Sequence, residues 1–291
     1  MNTAGNTISP RFFHNQMARK GKLIMSQYAV GFIGAGNMGG ALLTGIRLHK
    51  PELALAVYDV SQGACEKAAG QGAAVCSSIE EMVRDSRIIV IAVKPQFFGD
   101  VLPRVKAALT ERKLIISITP GFDFAYWCSA LGELAVMTRT VPNMPAMVGE
   151  GITLMTFGEG VTQAEQQEIA GLFECVGRIT LMPEKLLDAG MSGSSASPAF
   201  TYMYIEAMAD GIVALGVPRA QAYELCAQAV LGAAKMVLET GLHPGTLKDQ
   251  VCSPGGMTIQ GVKALEENGF RYSVMAAEEA AWKKSQEMTK K

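Results

Sequence analysis

Histidine is scarce in this chain: only His14, His49 and His243 occur among 291 residues. His14 sits near the start and His49 follows the first predicted helix, so no imidazole has the company that a Ser/His/Asp triad or a multi-histidine metal site requires. Hydrolase and metalloenzyme chemistry are therefore disfavoured, and no metal site is expected. The six cysteines are far apart with no CxxC pair, which excludes a zinc knuckle or disulfide framework and reads as a reduced intracellular protein. Charge of one sign is also lacking, since 26 Lys+Arg nearly balance 27 Asp+Glu. A protein built to coat nucleic acid or an anionic membrane carries a basic excess, so neither partner is expected. There is no uncharged run of about 20 apolar residues, and hence no transmembrane helix is predicted. Acidic residues are missing before Glu52, whereas Arg11, Arg19, Lys20 and Lys22 fall in the first 25 residues. Such a segment reads either as a transit-like peptide or as an upstream start ahead of Met25, and the second reading is preferred. No apolar core follows the basic residues, so it is not a secretory signal. Residues 1–25 are expected to lie outside the fold, and the location is expected to be cytoplasmic.

What is present suits a folded enzyme. Apolar residues make up 49% and charged residues 18%, enough for a buried core and too little charge for a disordered chain. The length is roughly twice the ~150-residue prior for one domain. Strand patterns at Tyr28–Ile33, Leu53–Tyr58 and Ala73–Cys76 alternate with helical ones at Asn37–Leu48 and Ala64–Ala69. Further β-rich runs follow at Arg87–Val93, Leu114–Ile118 and Ala135–Thr138. This alternation implies right-handed crossovers and a mostly parallel, doubly wound sheet, an α/β Rossmann domain. Ile152–Phe157 and Gly177–Leu181 extend it around a helix at Gln163–Glu174. After Pro183 the chain turns to helix formers. Ala199–Leu238 reads as two long helices broken at Gly216-Val217-Pro218, followed by helices at Leu247–Val251, Thr258–Glu267 and Tyr272–Glu287. Residues 26–182 are thus assigned to a dinucleotide-binding domain and 183–291 to an all-helical one. The second is apolar on several helix faces, as in Ala227–Met236, which calls for a partner subunit.

Two loops carry chemistry. Gly34-Ala35-Gly36-Asn37-Met38-Gly39 lies between a predicted strand and a predicted helix. There the first glycine permits a tight turn, the second lets backbone approach a pyrophosphate, and the third permits close helix–strand packing. The phosphate then rests on free N–H groups at the positive end of the helix dipole. Asp59 closes the second strand, where a carboxylate takes the adenosine ribose hydroxyls and repels a 2′-phosphate; the alternative is an Asp that caps the next helix. Val93-Lys94-Pro95 ends the fourth strand, at the edge where such sheets bind ligands, although Lys94 also suits an exposed loop. The second loop is Ser253-Pro254-Gly255-Gly256-Met257-Thr258. Its glycine pair and Thr at a helix start would offer unpaired N–H groups to an anion; the plainer alternative is an interhelical turn with Thr258 as N-cap.

Taken in order, several runs resemble the pyrroline-5-carboxylate reductase family, whose members catalyse the last step of proline synthesis. They are Phe32–Gly39, Ala92–Gln96, Val141–Pro145, Ser197–Phe200, Ile205–Gly211 and the Ser253–Ile259 loop, with His243-Pro244-Gly245 preceding Leu247-Lys248-Asp249. The resemblance implies reduction of 1-pyrroline-5-carboxylate to L-proline by NADPH or NADH. It implies that the Gly255–Thr258 loop, with Ser253 and Met257, grips the substrate carboxylate through backbone N–H groups, with the Thr258 hydroxyl near the ring nitrogen. Asn143 and Lys94 match positions that line the nicotinamide and nucleotide side. It also implies a helical domain interlocked with a second subunit, at least a homodimer and in many members a decamer. Two departures stand out. Ala196 takes the place of a serine in the run before Pro198, and Gly241 falls where some members carry a Glu.

The chemistry suits a chain poor in histidine. A protonated imine is electrophilic at carbon, so hydride adds without a strong protein acid, and positioning supplies up to ~7–11 kcal/mol. The cofactor itself carries the hydride. A β-hydroxyacid dehydrogenase would use a Lys as acid/base near the domain junction, but Ala199–Leu215 contains none. A non-catalytic NAD sensor would not need the Gly255-Gly256 pair.

Overall fold

A computed structural model describes residues 26–289; the N-terminal extension expected at residues 1–25 lies outside them. Short runs of β-branched and other apolar residues form the strands β1 (Tyr28–Ile33), β2 (Leu55–Tyr58), β3 (Ala74–Val75), β4 (Ser86–Ile91), β5 (Lys113–Ser117), β6 (Ala135–Val141), β7 (Gly151–Phe157) and β8 (Gly177–Leu181). They make one eight-stranded sheet in the order β3-β2-β1-β4-β5-β6-β7-β8. The first six run parallel. β7 turns back antiparallel to β6, and β8 runs parallel to β7. The reversal follows from the connection: residues 142–150 form only a 3₁₀ turn, and a parallel crossover needs a dozen or more residues.

The helices α1 (Asn37–His49), α2 (Gln62–Gly70), α3 (Ile79–Asp85), α4 (Phe98–Ala108), α5 (Phe124–Leu131) and α6 (Gln163–Phe173) cover the two faces. On one side Leu42, Leu43 and Ile46 of α1 pack with Phe32, Val90 and Phe173. On the other, Met82, Phe98, Val105 and Trp127 close over Ile89 and Ile91. Both faces of the central strands are thereby buried, as parallel strands require. Local chemistry sets the helix starts. Ser61, Ser78 and Asp123 cap α2, α3 and α5, and Thr162 with Glu165 forms a reciprocal capping box on α6.

Beyond β8 the described residues contain helices and no strands: α7 (Leu187–Met191), a π-helical turn at Ser192–Ala196, α8 (Ser197–Ala214), α9 (Arg219–Thr240), α10 (Pro244–Val251), α11 (Met257–Glu267) and α12 (Phe270–Thr289). The break between α8 and α9 falls at the Gly-Val-Pro run, as the sequence suggests. Gly241, one of the two departures, ends α9 in the left-handed conformation at φ 65°, a role that glycine fills without strain. Where α8 meets α9, only Ala209, Ala222 and Cys226 are fully buried. Tyr202, Met203, Leu225, Leu231 and Leu238 stay exposed.

Several boundaries differ from expectation. The strand read from Leu53 begins at Leu55, because Leu53 N–H turns back to Lys50 O. The strand read to Val93 stops at Ile91, where Lys94 opens a 3₁₀ turn. Helices α3, α4, α5 and α7 had no sequence reading. α3 and α7 are one to two turns long, α4 contains Pro103, and α5 is rich in aromatics.

Candidate active site

β1 is flanked by β2 on one side and β4 on the other, so the carboxyl ends of β1 and β4 frame the point where the strand order reverses. Open α/β sheets bind ligands in that crevice. The loop leaving β1 is built by close backbone approach. Gly34 has φ 97°, and its N–H donates to Tyr58 O at 2.8 Å. A Cβ on Gly39 would lie 2.4 Å from Gly34 O, so only glycine lets α1 sit this close to the strand. A Cβ on Gly36 would meet nothing within 4 Å. Gly36 and Asn37 are exposed, whereas Met38 turns its side chain to the core. Gly36 is the N-cap of α1, and no side chain caps the helix. Its first N–H groups are thus free for a diphosphate, and the space beside Gly36 admits one.

Asp59 is held on both oxygens. Oδ2 accepts the Ala35 N–H at 2.7 Å and Oδ1 accepts the Ser61 N–H at 2.8 Å. It does not cap α2, the alternative raised from sequence; Ser61 does, its Oγ accepting the Ala64 N–H. Asp59 instead joins the glycine loop to the start of α2. Val93 lies against the loop, since a Cβ on Gly34 would come 3.1 Å from its Cγ1. The Val93 carbonyl accepts the Thr119 hydroxyl at 3.2 Å, linking the ends of β4 and β5. Lys94 and Pro95 are exposed beyond it, and Pro95 with Gln96, Gly121, Arg139 and Asp188 borders a polar cleft of about 850 Å³.

Asn143, by contrast, is buried at 6% exposure. Its Oδ1 accepts the Ile152 N–H at 2.9 Å, and its Nδ2 donates to Ser194 O at 2.9 Å. The amide therefore ties the loop after β6 to β7 and to the π-helical turn, leaving one N–H for other work. Sequence reasoning found Asn143 by motif but not this bracing role. Two further pairs escaped it. Buried Arg139 bonds Glu184 at 2.6 Å, and the same carboxylate oxygen accepts the Phe124 N–H. Ser197 donates to Glu278 of α12 at 2.6 Å. A lone Arg within an apolar strand signals the first pair; no local pattern marks the second.

In the second loop, Gly255 adopts φ 69° and the Gly256 N–H donates to Ser253 O at 3.1 Å. α11 begins at Met257 with Gly256 as N-cap and no capping side chain. Thr258 is thus the second residue of the helix rather than its N-cap, which corrects the alternative raised from sequence. It is half-buried, whereas the Met257 side chain is 91% exposed. The loop presents uncapped N–H groups with a hydroxyl beside them, an arrangement suited to a small carboxylate. Among the described residues, no group of three or more His, Cys, Asp or Glu is arranged to hold a metal.

A glycine loop at the switch point of a Rossmann sheet, followed by an all-helical part with a second anion-ready loop, defines a nicotinamide-dependent oxidoreductase. Comparison with known proteins narrows the class. Residues 29–121 match the family model "NADP oxidoreductase coenzyme F420-dependent", and residues 184–288 match "Pyrroline-5-carboxylate reductase dimerisation". The chain belongs to the pyrroline-5-carboxylate reductase family. It is 41% identical to the Escherichia coli pyrroline-5-carboxylate reductase, over 90% of this chain and 98% of that one. It is likewise 41% identical to the Methanosarcina acetivorans enzyme, over 92% and 100%. Among solved structures, the Plasmodium falciparum pyrroline carboxylate reductase with NADP bound superposes with a TM-score of 0.80 at 34% identity, covering 90% of this chain and 99% of that one. The Coxiella burnetii pyrroline-5-carboxylate reductase gives 0.85 at 27% identity, over 91% and 100%.

Proposed function

We propose that this chain reduces 1-pyrroline-5-carboxylate to L-proline with NAD(P)H. The observation that carries the reading is that both loops on which the family resemblance rests form uncapped helix starts, at Gly36 and at Gly256. One is ready for a diphosphate and the other for a carboxylate. When bound, the reduced nicotinamide supplies hydride. Gly34, Gly36, Asn37, Met38 and Gly39 hold the diphosphate by backbone. Val93, Lys94, Pro95 and Asn143 shape the nicotinamide side. Ser253, Gly255, Gly256 and Met257 seat the substrate carboxylate by their backbone, and the Thr258 hydroxyl orients the ring nitrogen. The protonated C=N carbon accepts hydride while the C=N electron pair passes to nitrogen, so the residues need to align rather than to donate a strong acid proton.

In this reading residues 26–182 bind the dinucleotide, and 183–291 bind substrate and a second copy of the chain. The apolar groove of about 860 Å³ bordered by Phe200, Tyr204, Met208, Val230, Phe270 and Val274 supports an obligate dimer, itself repeated in a ring. No helix among the described residues is long and apolar enough to cross a membrane, and the working location is the cytoplasm. The test is direct: purified protein, pyrroline-5-carboxylate and either reduced cofactor should give stoichiometric L-proline and oxidised cofactor. Failure to oxidise either cofactor with that substrate overturns the reading.

A further inference from the structure

The far end of the nucleotide crevice, where β2 meets α2, carries a fixed negative charge, and the turn that bears it, Asp59 to Glu66, holds no Lys or Arg. Both Asp59 oxygens are engaged by backbone N–H groups, from Ala35 and Ser61, at 2.7 and 2.8 Å. The carboxylate is therefore pinned between the glycine loop and the first turn of α2, and a rotamer change that swung it away would break two charge-assisted bonds. The same contacts engage part of the turn that would otherwise receive an anion. The Ser61 N–H is given to Asp59, and Ser61 Oγ accepts the Ala64 N–H. No Lys or Arg occurs from Asp59 to Glu66. Lys67 lies in the last turn of α2. Arg104, whose guanidinium carbon sits 5.8 Å from the Tyr58 ring centroid, is held by Glu80 through two bonds of 2.7 and 2.8 Å.

We propose that Asp59 makes this enzyme select NADH over NADPH. The carboxylate retains lone pairs for the 2′- and 3′-hydroxyls of an adenosine ribose, while a 2′-phosphate would bring further negative charge against it with no Lys or Arg of the turn to offset the repulsion. The selection rests on the oxidoreductase reading above, yet it is a property of nucleotide binding and is measured without turnover.

Titration of the purified full-length protein with NADH and with NADPH, followed by nicotinamide fluorescence, gives the two dissociation constants. The wild type is expected to bind NADH at least about tenfold more tightly, as a single unanswered charge at contact distance warrants. In Asp59→Asn the charge is gone but the shape remains, and the ratio should fall toward one through tighter NADPH binding. In Asp59→Ser the ribose acceptor is shortened as well, and NADH binding should also weaken. Circular dichroism and melting check that each variant is folded; if the serine variant is not, the asparagine variant decides. Equal or tighter NADPH binding by the wild type overturns the proposal, as does a preference unchanged in Asp59→Asn. A protein that discriminates the two nucleotides as expected but leaves pyrroline-5-carboxylate unreduced would sink the function proposed above and keep this inference.

Discussion

Two glycines of the loop after β1 make opposite demands on a methyl group. At Gly36 an added Cβ meets no protein atom, whereas at Gly39 it would lie 2.4 Å from a backbone oxygen. Gly36→Ala should therefore change stability by no more than about 1 kcal/mol yet weaken dinucleotide binding at least about tenfold, because the methyl occupies the approach path of the diphosphate. Gly39→Ala should instead cost about 1–3 kcal/mol of stability through overpacking. Paired melting curves and NADH titrations separate the two. For Thr258→Ala, loss of one orienting hydroxyl should lower kcat/KM for substrate roughly two- to tenfold and leave the NADH dissociation constant unchanged; unaltered kinetics would remove Thr258 from the site. Cysteines follow their surroundings as well. All six are free, and burial pushes the Cys76 thiol up to about 11, so a maleimide at neutral pH should label exposed Cys128 and spare Cys76 in the folded protein.

Among the elements, α6 shows how an end is secured. Glu165 closes the capping box and also pairs with Arg112 at 2.6 Å. The Arg112 bonds, with those from Thr162, hold its carboxyl down from its ordinary 4.5 to about 2. A carboxylate depressed by folding contributes stability above the unfolded pKa and loses it as pH falls through the folded one. Glu165→Gln should thus destabilise the protein by about 1 kcal/mol at neutral pH, and the gap in melting temperature from wild type should close between pH 4.5 and 2. This cap is visible in the sequence as Thr-x-x-Glu, as are the glycine loop and the strand–helix alternation before it. Four helices were not visible. The shortest, α3 and α7, offer too few residues for a periodic pattern, and α4 carries a proline inside an otherwise apolar face. The site was legible to the extent that backbone makes it, because Gly34–Gly39 and Gly255–Gly256 announce close approach and unusual turns. The parts made by distant side chains, Asn143 on Ser194 or Glu278 on Ser197, depend on how the helices return to the sheet, and no local spacing encodes that.

For the whole molecule, the helical half leaves Tyr202, Met203, Leu225, Leu231 and Leu238 exposed, large apolar side chains that a second subunit would cover. Sedimentation at micromolar concentration should show a dimer or a multiple of it, and Leu225→Glu, at a position 59% exposed in the single chain, should shift it toward monomer with loss of turnover. Asn143 has a different reach. One buried amide is bonded to the start of β7 and, 51 positions along the chain, to Ser194. It works as a rivet through the seam between sheet and helices, so heat should melt the two halves in one calorimetric transition; Asn143→Ala, which leaves two backbone groups without their partner, should split that transition into two.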